Sequence, residues 1–269
     1  MRVGLIAADT RNGAGRKPAQ RQVLIGGYAA AASDLIAQGA QLVILPEKMA
    51  TLSDAEIPEL DVPLKEAARR GAVIAVGVER HSAGSKLNET RVFSRAGELR
   101  ALYEKHHMLP PFESDLVVGT ERSVLNEPAG KLGVAICKDM DFPLLSREYG
   151  NDGVGLLIVS AWDFVVDGWL HSRMAVMRGV ESGFSIARSA NDGLLTLSDN
   201  RGRVLAEKTS SAAAFSTLLG AVPVHHDSTL YARWGDWFSW LATAALIGIV
   251  LSLAMQAFAP RLVTEKLRA

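Results

Sequence analysis

Lys131-Leu132-Gly133-Val134-Ala135-Ile136-Cys137 is a short apolar run that ends on the single cysteine of the sequence, and Lys138-Asp139-Met140-Asp141-Phe142-Pro143 follows at once. A run of this length, bounded by polar residues and a proline, reads as a buried strand with a sharp exit. Working outward, residues 3–8, 41–45, 72–78 and 154–160 read as strands. Residues 20–38 (stopped by Gly39), 63–70 and 171–182 read as helices between them. Residues 91–94 and 99–103 flank Ala96-Gly97 as a hairpin, and residues 185–189, 194–198, 204–206 and 220–224 supply further strands. Such alternation predicts a layered α/β domain.

Composition narrows the function. The 269 residues carry 29 basic and 29 acidic side chains, so no net charge draws the chain to nucleic acid. With 48% hydrophobic and 22% charged residues the chain is neither disordered nor a polytopic membrane protein. One cysteine excludes an internal disulfide and a multi-cysteine zinc site, leaving a free thiol. The pairs His106-His107 and His225-His226 lack a carboxylate or cysteine cluster to complete a ligand set, so no metal and no cofactor is expected. Residues 11–21 are basic but lack the strand-then-helix setting of a phosphate loop and are expected to form a flexible loop. Asn191-Asp192-Gly193 is a turn signal.

Hydropathy is uneven. From Trp237 to Pro260 there are 24 residues without a charge, with Trp234, Trp237, Phe238 and Trp240 crowding the first end. About 20 mainly apolar residues suffice to span a hydrocarbon core, and aromatic residues favour its interface. One transmembrane helix at residues 234–260 is expected, followed by a short basic tail, 261–269. Arg261, Lys266 and Arg268 outnumber Glu265 there, which favours a cytoplasmic tail and an external domain. The apolar run at residues 3–8 is too short for a signal peptide, so either spanning helices upstream of this chain export the domain or it stays cytoplasmic on a tail anchor. Both topologies stay open.

Three polar residues stand at or just beyond apolar strands: Glu47, Lys105 and Cys137. Strand ends in an open α/β fold converge on a shared crevice. A thiol needs a base or a positive neighbour to reach its nucleophilic form. Glu47 is placed to take the proton, Lys105 to stabilise the thiolate and then an oxyanion, and the Lys138 backbone N–H to donate a second bond. The expectation is an ionised sulfur flanked by a carboxylate and an ammonium in one cavity. His106 is expected beside Lys105. Trp162 and Phe164 either line an acyl pocket or pack in the core.

Pro46-Glu47, Tyr103-Glu104-Lys105-His106-His107-Met108-Leu109-Pro110 and Gly133-Val134-Ala135-Ile136-Cys137 resemble, in this order, the Glu-Lys-Cys signatures of the nitrilase, or carbon–nitrogen hydrolase, superfamily. The resemblance covers essentially residues 1–237. It implies a four-layer αββα sandwich for residues 1–233 and chemistry through a cysteine thioester. It also implies roles for Glu47 as general base, Lys105 as stabiliser and Cys137 as nucleophile, with Glu113 helping to position them. These segments look like those of the apolipoprotein N-acyltransferase branch: residues 105–113, residues 171–181 followed by 187–193, and Thr229-Leu230-Tyr231-Ala232-Arg233-Trp234-Gly235-Asp236-Trp237 leading into the apolar helix. That branch implies a phospholipid acyl donor, an amine acceptor such as a lipoprotein N-terminus, and a site in the bacterial inner membrane. The superfamily also implies a possible homodimer. Cys137-Lys138-Asp139 with Phe142-Pro143 is nearer to soluble amidases, which keeps hydrolysis of a small amide open. A non-catalytic, membrane-tethered binding domain is the third reading.

Overall fold

The computed structural model describes residues 1–8, 17–212 and 214–258. Residues 11–16 of the expected loop, and the expected basic tail, lie outside the described residues. The rest of that loop is corrected: Pro18 opens a helix, where its fixed φ and missing N–H are tolerated. Arg21, where the expected loop and the helix expected at 20–38 overlap, is buried in this helix and ion-paired with Glu56 at 2.8 Å and Glu59 at 3.0 Å.

The chain divides into two units, Met1–Arg233 and the part from Trp234 on. In the first, β1 (Arg2–Ala8), β2 (Leu42–Ile44), β3 (Thr51–Ser53), β4 (Val73–Ser82), β5 (Ser85–Phe93), β6 (Leu99–Glu104) and β7 (Leu116–Val117) form one sheet. Strands β8 (Val124–Glu127), β9 (Gly130–Ile136), β10 (Leu156–Trp162), β11 (Ser185–Asn191), β12 (Leu194–Ser198) and β13 (Val204–Thr209) form another. Strand β14 (Phe215–Ala221) returns to pair antiparallel with β1. Both sheets have parallel centres, β1-β2-β4 in one and β9-β10-β11 in the other.

The period-2 alternation of the strands builds three cores. Val3, Leu5 and Ala7 of β1 meet Leu132, Val134 and Ile136 of β9 in a core between the sheets. The opposite residues Ile6 and Ala8 pack with Leu24, Tyr28, Leu60 and Leu64 of α1 (Pro18–Ala37) and α2 (Ile57–Ala68). On the far side, Ala135, Leu157 and Ile186 pack with Tyr149 and Ala175 of α3 (Pro143–Asn151) and α4 (Gly168–Ser182). The layers are α, β, β, α, the sandwich expected.

Several elements differ in extent. Helix α2 begins at Ile57 and carries Pro63 inside it, six residues earlier than the apolar pattern alone marks. The strand expected at 220–224 is Phe215–Ala221, because β14 stops where its partner β1 begins, at the pair Arg2 and Ala221. Strand β5 starts at Ser85, paired with Ser82 across Ala83-Gly84, both at positive φ. That two-residue hairpin turn is the kind that requires positive φ at both positions. The strand was obscured because Asn88, Glu89 and Thr90 are polar yet fully buried.

After the short helix α5 (Leu230–Trp234), helix α6 (Trp237–Phe258) has 22 residues, a length of about 33 Å. Within Trp237–Ala257 an 18-residue window averages a hydropathy of 2.0, and among the described residues this is the one helix long and apolar enough to cross a membrane.

Gly77 of β4 fixes the loop after β2. Its N–H donates to the Pro46 carbonyl at 3.1 Å, and its carbonyl accepts from the Met49 N–H at 2.9 Å. A Cβ there would sit 2.6 Å from both the Glu47 Cα and the Pro46 oxygen. Gly77→Ala is therefore expected to cost roughly 1–3 kcal/mol through overpacking and to shift Glu47; denaturant unfolding with a parallel Cys137 alkylation rate checks both.

Candidate active site

Cys137 leaves β9 at φ +40°, a left-handed conformation disfavoured for a residue with a Cβ, and enters a short 3-10 turn, Cys137–Asp141. The carboxylate of Asp139 holds this exit. Its Oδ2 accepts from the Ile136 N–H at 2.9 Å and the Tyr103 hydroxyl at 2.7 Å. Its Oδ1 accepts from the His107 N–H at 2.9 Å and the His106 N–H at 3.2 Å, and meets His107 Nδ1 at 3.0 Å. One buried side chain thus ties the cysteine turn to the segment that follows Lys105. His106, expected beside Lys105, contributes its backbone N–H here, while its ring stacks on Tyr103 and meets the Glu121 carbonyl. The Lys138 amide lies in the first turn of the 3-10 segment, where backbone N–H groups have no carbonyl a turn earlier. Its side chain pairs with Asp141.

Glu47, Lys105 and Glu113 converge, each nearly inaccessible to solvent. Lys105 Nζ lies 2.8 Å from Glu47 Oε1 and 2.8 Å from Glu113 Oε2. Two residues not singled out by sequence join them. Asn88 donates from Nδ2 to Glu47 Oε1 at 2.6 Å and to Glu113 Oε1 at 2.9 Å. Lys48, at φ +46°, places Nζ 2.5 Å from Glu113 Oε1. The Leu109 N–H adds a bond to Glu113 Oε2 at 2.9 Å.

The charges respond to this packing. Burial opposes ionisation of Glu113, but Lys105 and Lys48 outweigh it and hold the carboxyl down at about 2. Burial likewise opposes the Lys105 ammonium, and Glu47, Cys137 and Glu113 reverse that, raising it above its ordinary value. For Cys137, burial and then the Glu47 carboxylate push the thiol up, against the opposing pull of Lys105 and Arg188. These influences favour a neutral resting thiol over the ionised sulfur expected from sequence, and Sγ donates to the Trp162 carbonyl at 3.4 Å. Lys105, which pulls the other way, is itself engaged by two carboxylates.

A second ion pair stands behind the thiol. Arg188 on β11 grips Asp163 with Nη1–Oδ2 at 2.8 Å and Nη2–Oδ1 at 2.5 Å, both residues buried, and His171 Nδ1 reaches Asp163 Oδ1 at 3.3 Å. Arg188 and His171 fall in segments noted for their resemblance, but nothing in their spacing marks the pairing. Trp162 donates from Nε1 to Asp192 at 2.9 Å, and its ring is 39% exposed. Phe164 is 46% exposed with Phe112 at 5.7 Å between ring centroids. Both aromatics are therefore open to solvent rather than core residues.

An αββα sandwich with a strained cysteine exit beside a buried carboxylate–ammonium cluster defines the architecture of the nitrilase-type enzymes. The chain belongs to the carbon–nitrogen hydrolase family, whose family model matches residues 7–231. It is 25% identical over 272 residues to the apolipoprotein N-acyltransferase of Nostoc sp., covering 93% of this chain and 53% of that protein. It is 26% identical to the apolipoprotein N-acyltransferase of Gloeobacter violaceus, covering 93% and 52%. The chain thus spans about half the length of these curated relatives. Its fold is similar to that of an amidase from Nesterenkonia sp., with a TM-score of 0.73 at 21% identity, covering 87% of this chain and 92% of the amidase.

Glu113 supplies a pH test. Its folded-state pKa lies below the ordinary 4.5, so its ion pairs stabilise the fold above that pH and the contribution fades as pH falls toward about 2. Chemical denaturation of wild type and Glu113→Gln is expected to show a clear gap at neutral pH that narrows in acid; a constant gap would contradict the assignment.

Proposed function

We propose that the chain catalyses acyl transfer through Cys137, with a lipid ester as donor and an amine as acceptor. Glu47 takes the thiol proton as Sγ bonds to the acyl carbonyl carbon. The oxyanion that forms is held by the Lys105 ammonium and the Lys138 amide. The carbonyl re-forms as the C–O bond to the leaving alcohol breaks, and Glu47 returns the proton to that oxygen. An amine nitrogen then attacks the thioester, passing a proton to Glu47, and the thiol is regenerated as the C–S bond breaks.

The observation that carries this reading is the cluster in which one buried ammonium bridges Glu47 and Glu113, in one unit with the left-handed strand exit at Cys137. Helix α6, apolar over 21 residues, supports a membrane anchor at residues 234–260, which would bring donor and enzyme to one surface. The exposed rings of Trp162 and Phe164 support an apolar path for the acyl chain. The similarity to apolipoprotein N-acyltransferases supports an acyl acceptor that is the amine of a lipoprotein.

The same trio with water as acceptor is an amidase, a reading favoured by the Asp139 turn and Phe142-Pro143 after the cysteine. Incubation with acyl-labelled phospholipid is expected to load label on wild type and none on Cys137→Ala. An added peptide amine should then remove it as an N-acyl product. Ammonia release from small amides with no lipid labelling would instead establish the hydrolase.

A further inference from the structure

Glu47 and Glu113 share one ammonium, yet their donors are divided unequally. Glu113 is met by four: Asn88, Lys48, Lys105 and the Leu109 N–H. Glu47 is met by two, Asn88 and Lys105, and both bind Oε1. Among the described residues no donor reaches Glu47 Oε2. Asn88 is fully buried, and its Oδ1 has no hydrogen-bond partner. An unpaired buried carbonyl is a cost, and turning the amide over would set that oxygen against two carboxylates, so its orientation is fixed by the pair it bridges. Lys48 keeps a left-handed backbone directly after Glu47, a conformation that places its ammonium on Glu113.

We infer that Asn88 and Lys48 are positioning residues that set the division of labour between the two carboxylates: Asn88 pins one oxygen of Glu47, and Lys48 saturates Glu113, leaving the second oxygen of Glu47 to receive the proton. The inference rests on the reading in which Glu47 is the base for Cys137. Without Lys48, Glu113 would lean harder on Lys105 and draw it from Glu47. Without Asn88, Glu47 would lose one of its two donors and be free to rotate out of this orientation. The charged groups that act on Glu47 and its thiol partner are Lys105, Glu113 with Lys48 across Asn88, and Arg188 with Asp163.

The test uses the full chain and iodoacetamide, reading Cys137 alkylation by mass spectrometry from acid to neutral pH, with thermal melts showing each variant folded. Asn88→Ala and Lys48→Met are expected to slow alkylation at neutral pH by roughly tenfold or more. They should also move the acid limb of the profile to higher pH, because losing a donor or an ammonium makes the carboxylates easier to protonate. Lys48→Arg retains the charge and should restore the limb. A purely structural role would lower the rate without moving the limb, and folded variants with the wild-type limb overturn the inference. Glu47→Gln separates the two levels. If it reacts as wild type does, the base assignment itself fails; if it is slow while the other variants keep the wild-type limb, only the positioning role fails.

Discussion

The Lys105 ammonium, buried between two carboxylates at 2.8 Å each, is the interaction on which the remaining arrangement depends. A charge in such a place is tolerable only when paired and hydrogen-bonded, and removing one partner leaves the others stranded. The protein meets that constraint from separate parts of the fold. Glu47 comes from the loop after β2, Asn88 from β5, Lys105 from just beyond β6, and Glu113 from the following loop. None of these is a neighbour in sequence, so the cluster exists only when the first sheet has its proper register. Stability and site geometry are thereby coupled, and Gly77, which lets the Glu47 loop lie on β4, belongs to the same requirement.

The second sheet supplies the thiol, and its attachment is equally specific. Asp139 bonds to the strand end before Cys137, to Tyr103 on β6 and to the two residues after Lys105. It therefore fixes the spacing between the nucleophile candidate and the ammonium across the inter-sheet core. The left-handed φ of Cys137 is held by this clamp and by the turn that follows. Backbone strain of this kind persists only where surrounding contacts over-determine it.

Much of this was legible in the sequence, for identifiable reasons. Apolar runs ending on Glu47, Lys105 and Cys137 marked strand exits, and strand exits are where a sandwich gathers polar groups. The partners were not legible. Asn88 lies in Lys86-Leu87-Asn88-Glu89-Thr90, whose polarity hides a buried strand; the Ala83-Gly84 turn before it was the available signal. Lys48 adjoins a marked residue but gives no sign that it points back at Glu113. Arg188 and Asp163 sit 25 residues apart; the register sets Arg188 opposite Val159, and its long side chain reaches Asp163 just past the end of β10, a pairing that no local pattern encodes. Helix α3 was signalled by Pro143 at its start, but its eight following residues are too short to show a clear period. Charge pairing alone favours an ionised sulfur, whereas burial, the larger influence on this thiol, opposes it and leaves no mark in the local sequence.

A neutral resting thiol has a consequence for the proposed chemistry. The sulfur gains its charge only as the proton passes to Glu47, when the substrate carbonyl is already in place to accept the electron pair. The oxyanion then formed returns a negative charge to the neighbourhood of Lys105, so the cluster never holds an unbalanced charge for long. This sequence is indifferent to what later resolves the thioester, since an amine and a water molecule both need only the unpaired oxygen of Glu47. Choice between them must come from outside the trio, from how much water reaches the sulfur. Under the proposed function the exposed rings of Trp162 and Phe164, the latter beside Phe112, would govern that access, because an acyl chain laid over them would exclude water.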